Sequence, residues 1–305
     1  MKKVVMFCGK GGVGKTTCAA AAALHWADQA ERTLIISTDF TPSLRHVFEL
    51  GETDDGDKPV QVARHLFLHE ISSEEVKRLW ESSFGAEVYE VFSAFVGIDY
   101  PQFVDFVASI LPGIRDEFMV DYIRGLSDSG TYDRIVWDTA PAGQTLGLLR
   151  MPSIVNAHLK PAPRIYSSLR TTAKTKRSVL HVLREWEGLS SRDMEFLRND
   201  VQFNLVTIPE ALAVRQLDGI VSEFERYGLH MDRMLVNQVV ADADSDFLRS
   251  KAAMQQSHIS ELCARYPGNT VMLPMFPFEL RGMAGLQEME RAMFGDGDNP
   301  EPYSA

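Results

Sequence analysis

No uninterrupted apolar run in these 305 residues approaches the roughly 20 needed to cross a bilayer, so a membrane-spanning helix is excluded. The apolar start of MKKVVMFCGKGG stops at Cys8 and runs straight into glycines, which reads as a strand and not as a secretion signal. Cysteine is scarce. Cys8, Cys18 and Cys263 form no close pair and no metal-ligand spacing, which excludes a disulfide scaffold and a cysteine-built metal site and suits a reduced, cytoplasmic setting. Positive charge is also in deficit. A net charge of −11 argues against a nucleic-acid binder that relies on a global positive field. No repeat or low-complexity tract stands out, and 45% hydrophobic residues supply ample core.

What is present is a series of short, continuously apolar runs: VVMFC from Val4, TLIIS from Thr33, HLFLHEI from His65 and RIVWD from Arg134, then FNLVTI from Phe203, RMLVN from Arg233 and TVMLP from Thr270. Each is apolar at both alternating positions, and most are separated by helix-length segments. That is the pattern of buried parallel strands in a three-layer α/β fold with ligands at the strands' carboxyl ends. The acidic GETDDGDKP (Gly51 to Pro59) reads as a loop and the tail GDGDNPEPYSA as frayed.

Two blocks break the rhythm and read as helical insertions into a single P-loop domain, together a helical subdomain: about 72–126 and about 152–199. In the first, Val88, Val91, Phe92 and Phe95, then Phe103, Phe106, Val107 and Ile110, recur at helical spacing, while Pro101 and Pro112 cut the run into short helices. The second holds seven Lys/Arg and no acid between Lys160 and Arg184. Such a run is most simply a solvated helix face.

Gly9 to Thr16 fits G-x-x-x-x-G-K-[ST] between a predicted strand and an Ala-rich helix. Glycines at 9, 11, 12 and 14, with Val13, allow a turn whose backbone N–H groups surround phosphate oxygens, and the following helix, entered through Thr16 and Thr17, adds its N-terminal partial charge. Lys15 is the cation for the β/γ-phosphates and Thr16 the hydroxyl for Mg²⁺. ATP or ADP with Mg²⁺ is the expected ligand set.

Lys10 makes the loop K-G-G-V-G-K-T-T. In this it resembles the deviant phosphate-loop ATPases, the family of MinD, ParA, the nitrogenase iron protein and the arsenite-pump ATPase. By that resemblance Lys10 is an intermolecular finger, which implies a nucleotide-dependent homodimer closing around ATP. STDFTPSL (Ser37 to Leu44) resembles switch I of the arsenite-pump (ArsA) and tail-anchored-protein targeting branch, with Phe40-Thr41-Pro42 where Pro-Ala-His is usual. The resemblance implies that Asp39 orients and deprotonates the attacking water and joins Thr16 and Asp138 around Mg²⁺. DTAPAGQTLGLLRMP (Asp138 to Pro152) resembles switch II of that branch, with Gln144 and Gly147 in place of histidine and arginine and Gly143 as pivot. NLVTIPEALA carries Glu210, by resemblance a contact to nucleotide across the dimer. MLVNQVV carries Asn237, resembling the asparagine that reads the adenine edge. LPMFPFELRGMAGL resembles the adenine-side loop, with Pro274 its contact. SILPGIRDEF (Ser109 to Phe118) is similar to a segment of the targeting branch's first insertion.

Missing residues narrow the branch. Arsenite capture needs converging soft thiolates, and no cysteine lies between Cys18 and Cys263. The C-x-x-C that holds a structural zinc in many targeting ATPases is absent from Ala241 to Gln256, so no zinc is expected; iron–sulfur ligands and a basic amphipathic membrane anchor are absent too. Three readings stay open: a chaperone for apolar tail-anchored membrane helices, working with a membrane receptor and using Phe92, Phe95, Phe103, Phe106, Val107 and Ile110 as groove; a partition-type regulatory ATPase recruiting a protein or DNA; and a subunit energising arsenite transport. Client grooves favour methionine, yet Met119 is the first block's one methionine, which weighs against the first.

Overall fold

A computed structural model describes residues 2–39, 43–51, 58–93, 97, 99–104, 112–140, 142–160 and 173–295. The chain forms two compact units, one of residues 1–71, 129–145 and 200–305, the other of 72–128 and 146–199.

The first unit is built on an eight-stranded sheet. Its strands are β1 (Val4–Gly9), β2 (Thr33–Ser37), β3 (Val60–Ala63), β4 (Leu66–Glu70), β5 (Arg134–Asp138), β6 (Val201–Thr207), β7 (Met231–Val239) and β8 (Thr270–Pro274). The spatial order is β3-β4-β2-β5-β1-β6-β7-β8, parallel throughout except for the antiparallel β3–β4 pair. β1, β2 and β5 are buried at every residue, which is why their sequences are apolar at both alternating positions: helices cover both faces. All seven predicted strands are present. The eighth, β3, was not foreseen, because its VQVA is half-exposed at the sheet edge and too short to stand out beside the acidic loop.

Helix α1 (Lys15–Asp28) crosses this sheet with ten of its fourteen residues buried. Its alanine run from Ala19 to Ala23 is fully buried, and the absence of bulk lets the helix lie close to the strands. Alanine is also the best helix former, so local preference and packing agree. Around α1 the core gathers Phe7, Leu24, Ile35, Val136, Leu235 and Met289. The unit is completed by α2 (Leu44–Val47) and, beyond β6, by helices over 211–226, 246–265 and 282–294.

The second unit is helical: α3 (Ser73–Trp80), α4 (Ala86–Ser93), α5 (Pro112–Asp128), most of α6 (Ala142–Leu159) and α7 (Ala173–Asn199). Ser72 caps α3 by accepting from the Glu75 N–H at 3.1 Å. Pro112 opens α5 at the position where its missing N–H costs nothing. Arg124 of α5 is a half-buried fork that donates to Asp193 of α7 at 2.6 Å and to Asp121 on its own helix. Phe103 is fully buried, tilted against Trp80, Tyr89 and Tyr100.

That burial corrects one expectation: Phe103 is core, not groove lining. The side chain of Phe92 and the whole of Phe95, Phe106, Val107 and Ile110 lie outside the described residues, as do Ser109 to Leu111 of SILPGIR and residues 161–172 of the basic stretch. Phe103→Ala is expected to destabilise the protein by about 3–5 kcal/mol, as other buried Phe truncations do. Denaturant unfolding checks this; an unchanged midpoint would return Phe103 to the surface.

Candidate nucleotide site

Strand order sets the site. β1 lies between β5 and β6, with β2 beyond β5 and β7, β8 beyond β6. The loop that leaves β1 therefore has strand-end carboxylates on one side and the ends of β7 and β8 on the other.

The loop itself depends on glycine. Gly9 has φ 153°, and a Cβ there would stand 2.1 Å from the carbonyl oxygen of Val206 on the adjoining strand. Gly14 has φ 93°, and a Cβ there would stand 2.4 Å from Nδ2 of Asn237. Gly9 is held to glycine by contact with backbone, and Gly14 is favoured as glycine by its positive φ beside a side-chain amide. Val13 is buried, while Gly11 and Gly12 are exposed. Lys15 is 7% exposed, and its ammonium donates to the Lys10 carbonyl at 3.1 Å. Burial lowers its pKa, an effect opposed by the carboxylates of Asp138 and Asp39.

On the carboxylate side, Thr16 donates to Oδ2 of Asp138 at 3.0 Å, and Ser37 reaches the same oxygen at 3.4 Å. Oδ1 of Asp138 is buried and has no hydrogen-bond partner among the described residues. Burial pushes the Asp138 carboxyl up to about 7, against the pull of Thr16 and Lys15 and with a further push from Asp39. A buried carboxylate with one oxygen unpartnered among the described residues, beside the Thr16 hydroxyl, is a hard-oxygen donor set that fits Mg²⁺. Asp39 follows β2, its N–H donating to Ser37 Oγ at 3.2 Å.

The end of the STDFTPSL stretch is tied back by Glu70 at the end of β4. Its Oε1 accepts from the N–H groups of Ser43, Leu44 and Arg45 at 2.8, 2.7 and 3.3 Å. Ser43 Oγ thereby stands 3.5 Å from Thr16 Oγ1. Neither Glu70 nor Ser43 was foreseen as part of the site, since no local pattern marks a strand-end glutamate as a cap for a segment 25 residues earlier. Residues 40–42 and the Gln144 side chain lie outside the described residues, and Gly143 stands on the first turn of α6.

Across the loop lies a cavity of about 300 Å³, lined by Gly12, Gly14 and Thr17 together with Asn237, Pro274 and the rings of Phe276 and Phe278. His46 and Arg281 also line it; sequence patterns had not marked them. Asn237 Nδ2 donates to the Val13 carbonyl at 2.9 Å, and its Oδ1 accepts from the Gln238 N–H at 2.9 Å. One amide hydrogen and one lone pair of Asn237 are left over. Glu210 is the N-cap of α8 (Ala211–Arg226) and is not among the residues lining this cavity. Lys10 is half-exposed, and its ammonium has no hydrogen-bond or ion-pair partner among the described residues.

A phosphate loop after the central strand of a mainly parallel sheet, a carboxylate at the end of the adjoining strand and an apolar cavity beside the loop define a P-loop nucleoside triphosphatase. The family model of the anion-transporting ATPases matches residues 2–295, and the chain belongs to that family. It is an ATPase. Among curated proteins it is similar to a putative arsenical pump-driving ATPase of Chlorobaculum tepidum, 26% identical over 319 residues that span 97% of this chain and 76% of that protein. It is also similar to ATPase GET3B of Arabidopsis thaliana, 27% identical over 94% of this chain and 77% of that protein. ATPase ASNA1 homolog 1 of Paramecium tetraurelia is 24% identical over 94% of this chain and 90% of its own length. No helix among the described residues is long and apolar enough to cross a membrane.

Proposed function

We propose that the chain works as a homodimer switched by ATP, in which Lys10 reaches the partner's nucleotide and the cycle captures and releases an apolar, tail-anchored membrane segment. The observation that carries the dimer is the pair of lysines. Lys15 is buried within its own loop and serves its own site. The Lys10 ammonium, five residues earlier, has no partner among the described residues. A second cation held at the loop rim without a role in its own subunit suits one that acts in trans, where it would offset transition-state charge only when two subunits meet.

Within one subunit the chemistry follows from position. The loop N–H groups and Lys15 hold the phosphates. Thr16 and Asp138, with Asp39 through water, are the residues that would hold Mg²⁺, which neutralises charge on the phosphate oxygens when bound. Asp39 orients the attacking water and accepts its proton. Asn237 uses its spare donor and acceptor on the adenine edge, beside Pro274. Glu210 is assigned to the partner's nucleotide by family resemblance.

The client reading draws on the switch motifs of the targeting branch and on similarity to proteins named GET3. Arsenite chemistry gains little from the thiols: Cys8 and Cys18 are buried in β1 and α1, and burial raises each to about 12, so neither is a ready thiolate. Light scattering tests the dimer. Asp39→Asn, made to stall hydrolysis, is expected at twice the monomer mass with ATP and at monomer mass with ADP, and adding Lys10→Ala is expected to abolish the ATP form. Monomers in every state would overturn the dimer and leave a monomeric ATPase. A nucleotide-dependent dimer that fails to retain an apolar transmembrane peptide would overturn the client alone.

A further inference from the structure

The buried polar groups on the β7 side form a chain that ends on the phosphate loop. Its far end is Gln255 on α9 (Asp246–Arg265), which is 1% exposed. Its Nε2 donates to the Gln238 carbonyl at 2.9 Å and its Oε1 accepts from the Val240 N–H at 2.9 Å. One amide thus closes both free backbone groups of a turn, as a neighbouring strand would. The turn needs closing. Gln238 sits at φ 61°, a left-handed conformation that side chains disfavour, and the β7–β8 register shifts between Val236 and Val239 at the same place. The twist turns Asn237 toward the loop, where it meets the Val13 carbonyl and stands against the open face of Gly14.

We infer that Gln255 is a positioning residue for nucleotide binding: by holding the turn at 238–240 it sets Asn237, and through Asn237 the phosphate loop. Gln255 and Val240 do not line the cavity, so the effect is indirect. Glutamine suits the place because it offers a donor and an acceptor on one planar group. Methionine has similar length but leaves the Gln238 carbonyl and the Val240 N–H buried without partners. The inference rests on the reading of this cavity as the ATP site.

A double-mutant cycle on the full chain tests it, with ADP and Mg²⁺ titrated calorimetrically into wild type, Gln255→Met, Asn237→Ala and the double variant. Gln255→Met is expected to weaken ADP about tenfold, and to weaken it no further once Asn237 is alanine. Binding by Gln255→Met within twofold of wild type, or losses that multiply in the double variant, would overturn the inference. Wild-type protein gives a second test in case Gln255→Met does not fold. Coupling is reciprocal, so ADP is expected to slow hydrogen exchange at the Val240 amide at least fivefold, a change that mere packing by Gln255 does not produce. Protection of Gly12 and Gly14 with Val240 unchanged would defeat the inference alone. No protection at any of the three would defeat the ATP-site reading with it.

Discussion

Replacing Asp138 with asparagine is expected to cut ATP turnover by two to three orders of magnitude while making the ligand-free protein more stable. The turnover loss follows from removing the charge that the proposed Mg²⁺ site requires, on the scale of other electrostatic contributions to catalysis, about 10²–10³-fold. The stability gain follows from burial. Unfolded, Asp138 ionises near 3.8; folded and ligand-free, near about 7. Between those values the folded state holds the extra proton, so the ligand-free protein loses stability as pH rises from about 4 to about 7, and the loss is complete above that. Proton affinity thus differs about a thousandfold between the two states, which bounds the penalty at about 4 kcal/mol. Asparagine keeps the shape and an oxygen for the Thr16 hydroxyl without the charge. Thermal unfolding at pH 8 is expected to show a higher midpoint for Asp138→Asn than for wild type, with the gap closing at pH 5. For wild type, Mg²⁺ with ADP is expected to raise the midpoint more at pH 8 than at pH 6. A lower midpoint for the variant at pH 8 would show that Asp138 is stabilised by its neighbours more than it is penalised by burial.

Gly9→Ala is expected to be the most damaging single-methyl change in the phosphate loop. The new Cβ would meet the Val206 carbonyl oxygen at 2.1 Å, and that oxygen belongs to the buried backbone of β6. Relief means spreading β1 from β6 at the centre of the sheet, so the cost is expected at about 4 kcal/mol or more. Gly14→Ala meets a side-chain amide instead, which can turn away. Gly12→Ala meets nothing within 4 Å among the described residues and costs about 1 kcal/mol for its positive φ alone. Soluble yield and denaturant midpoints should therefore rank Gly12→Ala above Gly14→Ala above Gly9→Ala. A Gly9→Ala protein that unfolds with the wild-type midpoint would show that the strands separate at little cost.

Much of this was legible because the signals are local. A buried parallel strand must be apolar on both faces, so VVMFC, TLIIS and RIVWD declared themselves. The loop from Gly9 to Thr16 declared itself because phosphate needs clustered N–H groups and a lysine in one short turn. β3 escaped notice because an edge strand needs neither length nor an apolar face. Phe103 was misplaced because helical spacing of apolar residues marks a face to be covered without saying whether the cover is the chain's own core or another molecule.

By itself the sequence determined the fold class, the phosphate loop and the family, because each rests on periodicity or on residues adjacent along the chain. Tertiary structure alone decided that Glu70 accepts from the backbone of Ser43, Leu44 and Arg45, that Asp138 keeps a buried oxygen without a partner among the described residues, and that Gln255 bridges Gln238 and Val240 beside Asn237. These depend on which strand ends lie side by side, and the strand order β2-β5-β1-β6-β7 brings together residues up to 224 positions apart. Hydrogen bonds and burial act over a few ångströms of space, and only the folded sheet sets those distances.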